Sequence, residues 1–391
     1  MTRPLTPKPL PPPANHSTSD IRPAGACPSG SDGVELIKPA VRSTPGYSLI
    51  SPSAQRKLNQ NEAPFDFPPE LKREVWALVA DQPWQRYPEF APRDLQIALA
   101  THYGWVPDGV LVGNGSNELI QASLAVTLGP DDVVVAPSPT FSLYRILAGV
   151  LGGQYVPVPL GPDFRFDIDR LIEVSRRKRA RVVVVNSPNN PTGSALPGNA
   201  VARILEETDA LVVCDEAYQD FGGPSSIPLL AHSSRLVVLR TFSKAFGLAG
   251  LRFGLALAHP AVAGEIAKGK LPYNVNLITL AAARVALRHS HELTARIREV
   301  IAIRERFLAS LRKLPGIATY PTAANFVLIR CNALPAAEVF RRLYQEYGIL
   351  VRDVSSSPEL AECLRISIGT AEDMDLVVAA LEQILSGEAK K

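Results

Sequence analysis

The chain has 391 residues, 46% of them hydrophobic and 20% charged, with 41 Lys and Arg against 38 Asp and Glu for a net charge of +3. This is the composition of a soluble globular protein with roughly two to three domains' worth of chain, and so small a net charge offers no footprint for nucleic acid. No apolar run approaches the ~20 residues of a membrane span, and the first residues lack the apolar core of a secretory signal, so the expected location is cytoplasmic.

Residues 1–45 are rich in Pro, Ser and Gly. They carry too little apolar surface to offset the entropy of ordering, so a disordered extension is expected. Residues 46–85 read as an N-terminal arm that contributes to a smaller domain. A helix is expected over 69–79, with proline in its first turn, and another over 93–103.

An alternation then begins. Apolar runs at 110–112, 133–136, 154–159, 181–185, 211–214, 236–239 and 253–258 read as strands, with helices over 118–128, 140–151 and 170–179. Such runs, alternating with helices, imply an α/β domain over 86–288 whose mostly parallel sheet is covered on both faces. Right-handed crossovers bring the strand ends to one edge. Downstream, 289–314 reads as one amphipathic helix with Leu293, Ile297, Val300, Ile301, Leu308 and Leu311 on a single stripe. Strands at 325–329, 349–351 and 364–368 and helices at 336–347 and 373–385 make a smaller α+β domain over 289–391.

Ligands of open α/β sheets bind at the carboxyl ends of the strands. Here one run ends in Asn186-Ser-Pro-Asn-Asn190-Pro-Thr-Gly193, another in Asp215-Glu-Ala-Tyr218, and a third in Thr241-Phe-Ser-Lys244-Ala-Phe-Gly. Asn190, Asp215 and Lys244 therefore converge on one crevice. A lysine held there by a Gly/Ala-rich turn is partly desolvated, which favours its neutral amine. Ser243 and Arg252 flank it, a hydroxyl and a fixed cation suited to phosphate. Gly115-Ser116-Asn117 opens a helix whose amides form an anion site.

Singly, these residues have ordinary explanations: a solvated lysine, a capping aspartate, a turn at Asn190, a core ring at Phe141. Jointly, each after a strand, they describe a site for a pyridine aldehyde phosphate. Lys244 would bond the aldehyde as a Schiff base, Asp215 would pair with the ring nitrogen, Tyr218 and Asn190 would donate to the ring oxygen, and Phe141 would stack on the ring face. The four cysteines, Cys27, Cys214, Cys331 and Cys363, lack Cys-x-x-Cys spacing; thiols are expected rather than disulfides or zinc, and no metal is predicted.

Ser187-Pro-Asn-Asn-Pro-Thr-Gly193, Asp215-Glu-Ala-Tyr218 and the segment 241–254 together resemble the fold-type I pyridoxal-phosphate aminotransferases of class I/II, over roughly residues 55–385. Within that superfamily, Lys57-Leu-Asn-Gln-Asn61-Glu-Ala-Pro, Arg86-Tyr-Pro-Glu89, Gly348-Ile-Leu-Val-Arg352-Asp and Leu364-Arg-Ile-Ser-Ile-Gly369 are similar to the histidinol-phosphate aminotransferases.

The resemblance implies a three-layer transferase fold with pyridoxal 5'-phosphate as cofactor, and Lys244 as the proton shuttle. It implies a homodimer in which Tyr87 reaches the partner's cofactor phosphate, and Arg352 and Arg365 as holders of the substrate's anionic end. The implied reaction converts L-histidinol phosphate and 2-oxoglutarate to imidazole-acetol phosphate and glutamate in histidine biosynthesis. Aromatic amino-acid aminotransferases and threonine-phosphate decarboxylases share the scaffold and stand as alternatives. A ligand-sensing domain of a transcription regulator is a further class, but residues 1–45 are too short and proline-rich for the winged-helix module it would carry. Phe65, in the substrate region, and Phe141 both stand where many members have tyrosine. Each drops a hydroxyl, and at Phe65 that hydroxyl would bind phosphate.

Overall fold

The computed structural model describes residues 31–47 and 52–387. Of the extension at 1–45, residues 1–30, Cys27 among them, lie outside the described residues. Residues 31–45 contain two short helices, Ser31–Glu35 and Pro39–Arg42, in place of the unstructured chain expected there. Pro39 starts the second, where its missing N–H is not needed, and that helix buries no residue.

In the unit covering residues 44–391, seven strands form the principal sheet. They are β1 (Val110–Asn114), β2 (Val133–Ser138), β3 (Gln154–Pro159), β4 (Val182–Asn186), β5 (Leu211–Asp215), β6 (Leu236–Thr241) and β7 (Phe253–Ala258), in the order β1-β7-β6-β5-β4-β2-β3. β7 is antiparallel to both its neighbours, and every other pairing is parallel. The carboxyl ends of the remaining strands therefore share one edge with the start of β7.

Successive residues of the central strands point to opposite faces. Val183, Val185, Val212 and Val238 enter one core, and Val182, Val184, Val213 and Val237 the other. Both faces are dry, which is why these strands read as unbroken apolar runs. Helices Pro69–Val79, Arg93–Tyr103 and Leu277–Arg288 supply buried side chains to the first core, and Ser116–Thr127, Leu143–Leu151 and Pro260–Ala267 to the second.

A second, antiparallel sheet comprises β8 (Ile317–Thr319), β9 (Phe326–Cys331), β10 (Arg352–Asp353) and β11 (Cys363–Ser367), in the order β10-β11-β9-β8. It has its own core with Ile297, Phe307, Val339 and Val377. The arm joins this region, because Arg56–Lys57 pairs in parallel with Ile349–Leu350. The long helix runs Ser290–Leu311 rather than over 289–314, and its buried stripe takes in Ile303, Arg304 and Phe307 while Ile301 is only half-buried. Arg304 turns inward because its guanidinium donates to Phe221 O at 3.1 Å and Ala324 O at 3.0 Å. A stripe counted from apolar residues alone misses such a cation. Among the described residues, no helix is long and apolar enough to cross a membrane.

One buried ion cluster fixes the strand ends. Arg240 on β6 donates to Glu216 at 3.2 Å, to Asp220 at 3.0 Å and to Gln219, and its guanidinium lies 5.1 Å from the Tyr103 ring centroid. Glu216 also accepts from Ser225 Oγ at 2.8 Å and from the Ser226 N–H. Burial pushes the Glu216 carboxyl up, and Arg240 is the main influence holding it down. The cluster pins the segment after β5 to the strand that leads to Lys244. Arg240→Leu should lower unfolding stability by about 3–5 kcal/mol, because Glu216 is left buried without its cation. Denaturant titration should read this as a fall in midpoint, partly restored by adding Glu216→Gln.

Candidate active site

Register brings the predicted residues together. Asn186 pairs with Asp215 across β4 and β5, Asp215 with Leu239 across β5 and β6, and Thr241 with Gly254 across β6 and β7. Asp215 and Lys244 thus leave adjacent strands at the same edge.

Lys244 follows a turn shaped by Thr241, whose Oγ1 donates to Phe253 O at 3.1 Å and accepts from Ser243 N at 3.1 Å. Its Nζ donates to Gln60 O at 2.8 Å and lies 5.8 Å from the Tyr218 ring centroid. Burial, and then the nearby Arg365, bring the amine down to about 7, with Arg252 acting in the same direction and Glu62 opposing. Near neutral pH this lysine exists in both protonation states.

Asp215 is 3% exposed. Its Oδ2 accepts from the Tyr144 hydroxyl at 2.6 Å and its Oδ1 from Ala217 N at 3.1 Å. Burial raises its pKa and these two donors oppose the rise; among the described residues it forms no ion pair. A buried carboxylate with donors behind it and no cation in front complements a protonated ring nitrogen.

On the other side stands an anion cradle. Helix Ser116–Thr127 begins at this edge, and its first N–H groups have no partner within the helix. A Cβ on Gly254 would stand 2.2 Å from Ser116 N, and one on Gly115 would stand 2.4 Å from Arg252 Nη2. Only glycine allows the helix start, β7 and the guanidinium to approach so closely, and Gly115 also has φ 77°. Arg252 Nη1 donates to Ser243 Oγ at 3.1 Å. Ser116 and Ser243 are buried, and Asn117 is exposed beside them.

The second sheet brings the arginines. Arg352 and Arg365 are cross-strand partners on β10 and β11, so their side chains share a face. Arg365 donates from Nη1 to Asn190 Oδ1 at 2.5 Å and from Nη2 to Asn59 O at 2.7 Å, while its buried Nε has no hydrogen-bond partner among the described residues. Phe141 stands edge-on to Tyr144, with centroids 5.7 Å apart. Phe65 and Lys244 line one narrow cleft with Phe246, Arg296 and Ile297. Tyr87 stands apart: it is 80% exposed and stacks on Tyr273 at 4.5 Å.

A family model described as aminotransferase class I and II matches residues 54–381. The chain belongs to the class I and II aminotransferases. A relative from Chlorobaculum tepidum named histidinol-phosphate aminotransferase is 37% identical over 351 residues, covering 89% of this chain and 100% of its own. Another of that name, from Chlorobium phaeobacteroides, is 38% identical, covering 89% of this chain and 96% of its own. The solved histidinol-phosphate aminotransferase of Sinorhizobium meliloti, in complex with pyridoxal-5'-phosphate, is similar with a TM-score of 0.81 and 27% identity over 90% of this chain and 98% of that one. The fold is accordingly the fold-type I transferase that the resemblance implied, built on the mostly parallel sheet expected from the strand pattern.

In this aminotransferase, sequence reasoning missed three residues of the crevice. Tyr144 lies three residues after Phe141, in the first turn of helix Leu143–Leu151, so the helix expected over 140–151 could have paired them by i,i+3 spacing. Asn61 donates through Nδ2 to the Tyr218 hydroxyl at 3.0 Å, although it stood only as part of a motif. Ser367, from β11, bonds Asn61 and likewise stood only inside a motif.

The amine of Lys244 is unprotonated in the folded chain above about pH 7. An ordinary lysine becomes so only near its pKa of about 10.4. Graded-pH labelling of cofactor-free protein with a small acylating reagent, followed by peptide mass analysis, should show Lys244 modification rising through pH 7. A rise only above pH 9 would contradict the desolvated amine.

Proposed function

We propose that the chain transfers an amino group between L-histidinol phosphate and 2-oxoglutarate, forming imidazole-acetol phosphate and glutamate, with pyridoxal 5'-phosphate as cofactor. The observation that carries the reaction type is that Lys244, its amine lowered to about 7, follows the strand adjacent and parallel to the one ending in the buried Asp215. The choice of substrate is supported by the names of the relatives from Chlorobaculum tepidum and Chlorobium phaeobacteroides. It is supported equally by the paired Arg352 and Arg365, since a guanidinium fork suits both phosphate and carboxylate.

Bound pyridoxal phosphate supplies a ring that accepts the electron pair released when the substrate α-carbon loses its proton. Asp215 keeps the ring nitrogen protonated by opposing it with a negative charge that Tyr144 and the Ala217 N–H stabilise. The amides of Ser116 and Asn117, with Ser243 and Arg252, would hold the phosphate group. Tyr218 and Asn190 would donate to the ring oxygen, and Phe141 would cover the ring face.

Lys244 Nζ takes the α-proton, holds it as ammonium and releases it. A group titrating near neutrality performs both transfers without a large driving-force penalty. Arg365, whose Nε lacks a partner among the described residues, and Arg352 bind the anionic end of each substrate. Phe65 lines the substrate side. Its missing hydroxyl leaves the arginines to carry phosphate recognition.

Tyr87 extends from the surface beside Tyr273 and Phe90, all three exposed. We assign it to the cofactor phosphate of a second copy, making the active unit a homodimer. A cytoplasmic location is part of the same proposal.

The test is turnover of purified, cofactor-loaded protein with histidinol phosphate, phenylalanine and threonine phosphate. The kcat/KM for histidinol phosphate should exceed that for either of the others by about 100-fold, the scale on which a fitted pocket separates related substrates. Faster turnover of phenylalanine, or carbon dioxide release from threonine phosphate, would replace this assignment with the corresponding alternative.

A further inference from the structure

Asn61 is buried, with φ 55°, a left-handed conformation that asparagine accepts more readily than most residues. Its backbone N–H donates to Ser367 Oγ at 2.8 Å. An amide N–H can only donate, so the serine oxygen is the acceptor there. The buried Ser367 hydroxyl has one acceptor for its own proton among the described residues, Asn61 Oδ1 at 3.1 Å, and a flipped amide would leave that proton unpaired. This identifies the side-chain atom facing Ser367 as oxygen and leaves Nδ2 facing Tyr218, where it donates to the phenol oxygen at 3.0 Å. Asn325 Nδ2 completes the set by donating to Asn61 O at 3.0 Å.

Each bond in this series therefore has one direction, set by the Asn61 N–H and by the single acceptor open to the Ser367 proton. The Tyr218 oxygen accepts from Asn61, so its own proton must point elsewhere. Among the described residues the phenol has no acceptor, and the group beside its ring is the Lys244 amine. Burial keeps the phenol protonated at neutral pH.

We infer that Asn61 and Ser367 are positioning residues that set the polarity of this hydrogen-bond series, fixing Tyr218 as a donor toward the ring oxygen of the bound cofactor. The inference rests on the pyridoxal-phosphate reading given above. Donation to that oxygen favours its anionic form and lowers the pH at which the visible absorbance of the bound cofactor changes. Ser367 lies two residues beyond Arg365 on β11, so one strand sets the donor and carries the proposed substrate arginine.

The test is a spectroscopic pH titration of protein loaded with pyridoxal phosphate. It compares the unaltered chain, Ser367→Ala, Asn61→Asp, Tyr218→Phe, and the first two substitutions each combined with Tyr218→Phe. A carboxylate at position 61 accepts where the amide donated, so it captures the phenol proton. Asn61→Asp should raise the absorbance midpoint by about 1 pH unit and Ser367→Ala by about half a unit. In the Tyr218→Phe background each shift should fall to less than half its size.

Shifts of equal size with and without Tyr218, or no shift, overturn the polarity role, since a merely structural role does not depend on the phenol. Should Ser367→Ala fail to fold, the near-isosteric Asn61→Asp pair decides the question. Absence of a visible cofactor band in the unaltered chain overturns the cofactor reading itself, and this inference with it.

Discussion

A half-buried, partly desolvated amine at the end of a parallel strand is the constraint on which this structure turns. A charged lysine is unfavourable there because burial penalises the ammonium and Arg365 and Arg252 repel it. The fold holds it in place through bonds that do not depend on its charge: the Thr241 turn, the glycine-limited approach of β7 to helix Ser116–Thr127, and the Gln60 carbonyl. The strain of burial becomes chemical poise, since the group now titrates where its proposed substrates are handled.

The surrounding charges follow a division of labour between two sheets. The principal sheet supplies the fixed parts: Asp215 with its rear donors, the anion cradle, and the Arg240 cluster that clamps the strand ends. The second sheet supplies the arginines and, through Ser367 and Asn61, a contact to Tyr218. Arg365 touches both sets, bonding Asn190 of the principal-sheet loop and Asn59 of the arm.

The sheet was legible because strands buried on both faces leave unbroken apolar runs, as Val182–Asn186 does. Convergence of Asn190, Asp215 and Lys244 followed from topology alone, and the resemblance to class I/II aminotransferases supplied the roles of Tyr87, Arg352 and Arg365. Less was legible where a residue's environment comes from distant chain. The buried side of helix Ser290–Leu311 depends on Arg304 finding carbonyls of Phe221 and Ala324. Asn61 and Ser367 meet across 306 positions, and no local pattern encodes that meeting. The short helices within residues 31–45 arise from local hydrogen bonds without burial, which a composition argument does not register.

The central claim is that the Lys244 nitrogen is the atom that takes up the cofactor. Borohydride reduction of protein loaded with pyridoxal phosphate, followed by proteolysis and mass spectrometry, addresses it directly. The account predicts one pyridoxyl group, on the peptide carrying Lys244. Its appearance on another lysine, or an unmodified Lys244 in protein that retains the cofactor, would contradict it.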